Sequence, residues 1–240
     1  MLPKHKIIAF ASSALCAVCA TVQAQTALPS PYSSVDGGVV VSNFYTMSTP
    51  SKSQDIYINA LLWATDNVVA NEDTAPGPVE CDIDAKQLAI ECMLQSKKFD
   101  VIYVFTLSIK VADNILTTLA ADIGYESEVA VVKLTKRASF DKFQPDKKEK
   151  HKEYMNDFAA LYAKLLTNLT EYVASHTPPT STHWAQIRQN DVVKGMTEDE
   201  CLLSLGRPVR TQEQGTKIQW IYDSYTYLFF EGGKVVSLIR

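Results

Sequence analysis

The period of the apolar positions changes several times along this chain, and each change marks an element. Residues 39–47, VVVSNFYTM, are dense in β-branched and aromatic side chains and predict a strand. STPSKSQ breaks that pattern and offers Ser51 with Gln54 as a capping pair; Ile56, Tyr57, Ala60, Leu61, Ala64 and Val68 then recur at helical spacing. Tyr57 and Trp63 are expected to pack this helix against a sheet. Beyond the loop NEDTAPGPVE, residues 87–95 and 100–111 alternate as strands, Asp113-Asn114 makes a tight turn, and 115–123 follow, which reads as an antiparallel meander. Residues 129–134 add a further strand. The charged connection KRASFDKFQPDKKEKHKE leads into a second helix, whose stripe Met155, Phe158, Tyr162, Leu165, Leu169 and Tyr172 is expected to cover the sheet while its lysine-rich start lies in solvent. HTPPTST ends it, and Pro178-Pro179 mark a domain boundary.

The clearest local signal lies beyond those prolines, in GMTEDECLLSLGRP at 195–208. Thr197 stands at an N-cap position with Glu200 three places on, a capping box, and Met196 can staple onto Cys201. Glu198, Asp199 and Glu200 complement the positive end of the helix dipole. Gly206 and Pro208 stop the helix after about two turns. So short a helix cannot stand alone; its Cys201, Leu202 and Leu205 side must dock on a sheet, which QWIYD at 219–223 and FFEGGKVVSLI at 229–239 supply. Gly232-Gly233 joins the last two strands as a two-residue hairpin.

The first 24 residues read differently. Lys4 and Lys6 precede the apolar run IIAFASSALCAVCA, and Val22 and Ala24 occupy the small-residue positions of a cleavage site, which predicts a secretory signal with Gln25 as the new N-terminus. Neither Cys16 nor Cys19 has the preceding triplet of a lipidation site, so a lipid anchor is not expected, and no later run approaches the roughly 20 apolar residues of a membrane span. A soluble periplasmic or secreted protein is the expectation. The predicted layout is a signal at 1–24, an extended lead-in at 25–36, a first α+β domain at 37–176, a proline-rich linker at 177–182 and a second α+β domain at 183–240, each domain an antiparallel sheet covered on one face by helices.

Export changes the charge and thiol balance. The chain has 23 basic and 27 acidic residues, and loss of Lys4 and Lys6 moves its net charge from −4 to about −6, so it offers no basic field to nucleic acid. Of five cysteines, Cys81, Cys92 and Cys201 remain. Cys81 and Cys92 flank an acidic, turn-like segment, and a disulfide between them across neighbouring strands is expected, with Cys201 a buried free thiol.

The order strand, helix, several strands, long helix, together with QDIYINALLWATDN and FDVIYVFTLSIKV, resembles an uncharacterised secreted family whose fold is similar to the TATA-binding protein, over about 39–175. Where that family often has a Lys-Asp-Gly turn, this chain has Val111, Ala112, Asp113 and Asn114. The segment HWAQIRQNDVVKGMT, the capped helix, LGRP, the Trp220 and Tyr222 pair and the closing EGGKVVSLIR resemble the SmpA/OmlA, or BamE-like, outer-membrane assembly domain, which shares its fold with the β-lactamase inhibitor proteins. That second resemblance implies helices layered on a three-stranded antiparallel sheet and a role in binding other proteins.

Catalytic chemistry finds little footing. His5, His151, His176 and His183 show no metal-ligand spacing, and no GxSxG or glycine-rich phosphate loop occurs. Asp82 and Asp84, near Glu80, read as a solvated edge ahead of a calcium site, and the sequon at Asn168 falls inside a helical stripe. Cys201 with His183 is the single thiol candidate. No cofactor is expected and no enzymatic activity. The expectation is a non-enzymatic protein-binding module that meets an envelope protein and serves envelope assembly or maintenance, with Tyr225 and Tyr227, on the face away from the core, as contact residues. The alternative is a proteinaceous inhibitor or a carrier of a small ligand.

Overall fold

The structure, a computed structural model, describes residues 30–47, 52–67, 80–129 and 134–240. The expected signal with its cleavage after Ala24, the expected capping residue Ser51, Val68 of the expected helical stripe and part of the strand expected at 129–134 lie outside them. The protein is α+β, with two antiparallel sheets. The first has the strand order β1-β2-β6-β5-β4-β3, with β7 also paired to β6.

The described part of the expected lead-in joins this sheet. Tyr32–Val35 forms β1 and pairs with β2, Gly38–Thr46, across Asp36-Gly37, where both φ angles are positive (50° and 83°), as a primed hairpin turn needs. Tyr32 is buried, and its hydroxyl donates to the Met155 carbonyl at 2.5 Å. The meander follows as β3 (Glu80–Asp82), β4 (Gln87–Ser96), β5 (Val101–Ala112) and β6 (Ile115–Val129). Asp113 and Asn114 both have positive φ and close the β5–β6 hairpin, as their residue types predict.

β6 runs past the expected end at Ile123 and serves two partners on one edge: residues 115–120 pair with β2, and 124–129 with β7, Leu134–Ser139. A register shift opposite Val104 to Thr106, where Asp122 takes φ 54°, bends the strand between the two. At Gly124 a Cβ would meet the Ala138 carbonyl at 3.0 Å, so the close approach of β7 requires glycine. Part of the expected charged connection thus becomes strand.

The helices are α1, Ser53–Asn67, and α2, Glu149–Ser175. α2 buries Tyr154, Met155, Phe158, Tyr162, Leu166, Leu169 and Val173, and Leu165 and Tyr172 fall to the margin of the stripe. Phe158 and Tyr162 meet Phe105 of β5 edge-on at 5.2 and 5.6 Å between ring centroids, the favoured aromatic geometry. α1 is buried around its whole circumference from Ile56 to Thr65, as a helix enclosed on all sides must be. It packs on β5, on α2 and on the C-terminal helix α4, Glu198–Leu205. Tyr57 reaches the sheet, its hydroxyl donating to the Gln87 carbonyl at 3.1 Å, whereas the Trp63 indole donates to Asn168 Oδ1 of α2 at 2.7 Å. The sequon asparagine is therefore a partner of the core tryptophan. Asn59 Nδ2 donates to the carbonyls of Val173 (3.3 Å) and His176 (2.7 Å), which satisfies acceptors that the end of α2 would leave without partners.

After the prolines come α3, Trp184–Ile187, then α4 and the strands β8 (Arg210–Gln214), β9 (Lys217–Ile221), β10 (Tyr227–Glu231) and β11 (Lys234–Ile239) in the order β11-β10-β9-β8. Four strands replace the three implied by the BamE-like resemblance. β8, RTQEQ, is polar at every position and gives no apolar period, yet it pairs along its whole length with β9. The apolar core runs on from the first sheet through α1 into Ile187, Met196, Cys201, Trp220, Leu228 and Phe230.

Candidate functional site

The C-terminal sheet is set by α4. Thr197 Oγ1 accepts from the Glu200 amide at 3.3 Å and Glu200 Oε2 accepts from the Thr197 amide at 2.7 Å, so the capping box forms as its spacing requires. Glu200 is buried, and Oε1 meets His183 Nδ1 at 3.0 Å. Burial alone would raise the Glu200 pKa, but hydrogen bonds from Ser181, the Thr197 amide and His183 outweigh it and hold the carboxyl below its ordinary value. His183 is thus engaged with Glu200, and Cys201 is the buried free thiol expected. Cys201 is fully buried, its pKa pushed up to about 12 by desolvation and then by Glu200 and Glu198, so it is core rather than nucleophile.

Alternation along β10 separates two faces. Leu228 and Phe230 point into the core with Trp220 and Val235, and the Trp220 and Phe230 rings lie 4.6 Å apart. Tyr227 and Phe229 point the other way. Across the sheet Tyr227 stands opposite Ile221 on one side and Ile239 on the other, and Phe229 opposite Gln219 and Ser237. Ile239 is 52% exposed. Glu231 continues this face, opposite both Lys217 and Lys234, and sets a charged border to it.

Tyr225 arrives by a different route from the one expected. It lies in the turn before β10, where Asp223 Oδ1 accepts from the amides of Tyr225 and Thr226, each at 2.7 Å, and Oδ2 from the Thr226 hydroxyl at 3.0 Å. Those amides hold the Asp223 carboxyl below its usual range. The turn displays Tyr225 at 77% exposure, whereas Tyr227 is half-buried, its hydroxyl donating to the Ser224 carbonyl at 3.2 Å. Phe229, Ile221 and Ile239 share the open face and were not singled out by the sequence reading. The signal for Phe229 was present in the alternation of YLFF, but Ile221 and Ile239 join it through strand register alone.

The thiols do not pair. In β3, Cys81 is in register with Leu88 of β4, and Cys92 sits four residues further along β4, opposite Phe105 of β5. That offset corresponds to about 13 Å along a strand, far beyond disulfide reach. Cys81 is an exposed free thiol, and Cys92 and Cys201 are buried ones. Mass measurement after alkylation of native protein is expected to show modification of Cys81 only, with Cys92 and Cys201 labelled on unfolding; an oxidised Cys81–Cys92 pair would refute this arrangement.

The remaining polar candidates have structural partners. Asp82 Oδ1 accepts from the amides of Asp84 and Ala85 at 3.0 and 2.8 Å, and Asp84 pairs with Arg188 at 3.3 Å, which joins the β3–β4 turn to the segment after α3. His151 Nδ1 accepts from the Gln144 amide at 3.0 Å while its ring stacks on Phe143. Desolvation, with Lys148 in second place, lowers its pKa. His176 stacks on Tyr172. Among the described residues no three His, Cys, Asp or Glu side chains gather as metal ligands, and no helix is long and apolar enough to cross a membrane. The space between the first sheet and its helices is filled by Trp63, Tyr103, Phe105, Phe158 and Tyr162.

Comparison with known proteins speaks to the fold. No family model matches the chain, and no curated protein matches it. Among solved structures, a TBP-like protein from Parabacteroides distasonis is similar at 15% identity and a TM-score of 0.50, over 60% of this chain and 97% of that one. A DUF4468 family protein from Bacteroides ovatus aligns at 11% identity and a TM-score of 0.49, over 62% of this chain and 94% of that one. Antiparallel strands backed by a few helices, in an arrangement similar to the first of these structures, make this an α+β chain with a TBP-like fold over about 60% of its length.

Proposed function

We propose that this chain is a non-enzymatic protein-binding module of the cell envelope, exported by its N-terminal signal, and that the C-terminal unit, BamE-like in its motifs, carries the contact. One observation supports this above the others: the side of the C-terminal sheet turned away from the core holds Tyr227, Phe229, Ile221 and Ile239 together, with Tyr225 displayed beside them on an ordered turn. Apolar and aromatic groups gathered on an open sheet face, bordered by Lys217, Glu231 and Lys234, have the anatomy of a docking surface with a hydrophobic centre and a polar rim. Tyrosine and phenylalanine supply large contact area at small entropic cost, which suits them as anchors.

The test is a pull-down from solubilised envelopes using the chain from Gln25 onward, beside a Tyr227→Thr/Phe229→Thr variant. Threonine keeps the strand preference while removing both rings. A protein anchored by these residues is expected to be retained by the parent chain and lost by the variant, each ring contributing about 2 kcal/mol and hence about thirtyfold in Kd. The same proteins retained by both chains, with both chains folded, would remove the contact from this face.

A further inference from the structure

The lysine-rich start of α2 breaks a rule that this chain elsewhere obeys. α4 opens on a capping box and three acids. α2, the longest of the described helices at 27 residues, has Lys148 at its N-cap with no side-chain hydrogen bond, and Lys147, Lys148 and Lys150 surround the single first-turn acid Glu149 at the end where the macrodipole is positive. Cations there oppose helix stability, so another use for them is indicated.

The fold adds more lysines to the same place. In the β4–β5 turn, Lys98 Nζ lies 4.6 Å from the Phe99 ring centroid, and that ring is 4.6 Å from Tyr154 of α2. Lys150 Nζ lies 5.4 Å from the same Tyr154 ring, and Tyr125 stacks on Tyr154 at 4.7 Å. Lys97, Lys98, Lys147, Lys148, Lys150 and Lys152 are exposed at this end, with Asp100, Asp146, Glu149, Glu153 and Asp157 as the nearby acids, of which Glu149 pairs with Lys152 at 3.8 Å and Asp157 accepts from the Tyr103 hydroxyl at 2.9 Å. This net positive island sits on a chain of net charge −4. It also lies far from the C-terminal unit. β4 leads away from the Asp84–Arg188 contact for ten residues, about 30 Å, before reaching Lys97, and α2 spans about 40 Å between its lysines and the prolines.

We propose that this end is a peripheral docking surface for an anionic phospholipid bilayer, which leaves the opposite, C-terminal end pointing away from the lipid. These cations are all lysines, compact hydrated charges suited to a diffuse field of mobile headgroups, whereas a protein carboxylate or a fixed phosphate is better matched by the arginine fork. Phe99 and Tyr125, half-buried rings among those lysines, are residue types favoured at the lipid–water boundary. The proposal is independent of the protein-binding reading of the C-terminal sheet.

The test is co-sedimentation of the chain from Gln25 onward with vesicles of phosphatidylcholine alone and of phosphatidylcholine with an equal part of phosphatidylglycerol. Binding is expected only to the anionic vesicles, strong at low salt and falling steeply as salt rises. Lys147→Glu/Lys148→Glu/Lys150→Glu is expected to reduce partitioning about 100-fold, at about fivefold per lysine, while raising Tm, because acids now complement the helix dipole. A Lys164→Glu/Lys194→Glu variant should bind vesicles as the parent does. Equal binding to both vesicles, no binding to either, or undiminished binding of the triple variant would overturn the proposal. So would binding to polyglutamate without vesicles, which would assign the patch to an acidic polypeptide.

Discussion

Trp63→Ala is expected to destabilise the protein by about 3–5 kcal/mol, the usual cost of deleting a large, fully enclosed aromatic side chain whose cavity cannot collapse. Trp63 has no measurable exposure and lies between the sheet and α2, with its indole donating to Asn168 at 2.7 Å. A loss of that size is a large share of the 5–15 kcal/mol that typically separates folded from unfolded chains. Trp63→Phe separates the two contributions: it keeps most of the ring volume and loses the hydrogen bond to Asn168, and should cost about 1–2 kcal/mol beyond the repacking. Urea unfolding of the two variants checks both values; a Trp63→Ala midpoint equal to that of the parent would show that α1 is not enclosed as described.

Removing everything after Ser175 is expected to have a still larger effect. The proline-rich segment invites the view that the first 175 residues form a free-standing unit, but α1 is buried on all sides, and α4 is one of the elements packed on it. Deletion would uncover apolar side chains of α1 at about 1.5–3 kcal/mol each, and would take away the His176 carbonyl that Asn59 bonds at 2.7 Å. Exposure of three or four such residues matches the whole stability of an ordinary domain. The truncated chain should therefore lose its near-UV dichroism and bind a hydrophobic dye. A cooperative melt at the Tm of the full chain would show that the C-terminal unit does not help to hold α1.

The same burial bears on how the proposed protein contact should be probed. Because loss of the C-terminal unit is expected to disturb the rest of the fold, substitutions on the open face of its sheet should report on contact more cleanly than deletion does. Tyr227 and Phe229 qualify because their neighbours Leu228 and Phe230, and not they, form the core.

What the amino-acid sequence determined by itself was whatever a few adjacent residues can settle. Asp113-Asn114 and Gly232-Gly233 become hairpin turns because their residue types tolerate positive φ. Thr197 with Glu200 becomes a capping box because each side chain reaches an amide three positions away. The long helix, the meander and the α+β class follow from apolar periods that persist over many residues.

What only the tertiary structure decided depends on partners distant in the chain. β8 is a strand because β9 supplies its hydrogen bonds, and its own polar residues carry no periodic trace. Tyr32 and β1 join the sheet through pairing with β2 and a hydroxyl bond to a helix 123 positions away. Cys81 and Cys92 are near one another in sequence, but the register of β3 on β4 sets them four residues apart along the sheet. The candidate surfaces follow the same logic: Ile221 and Ile239 meet Tyr227, and Phe99, with Lys98 over its ring, meets Tyr154 of α2, only once strand register and helix docking bring them together. Local propensity is written within a turn or two of chain, whereas register is chosen by the burial of whole faces, a property of pairs of elements that no single stretch encodes.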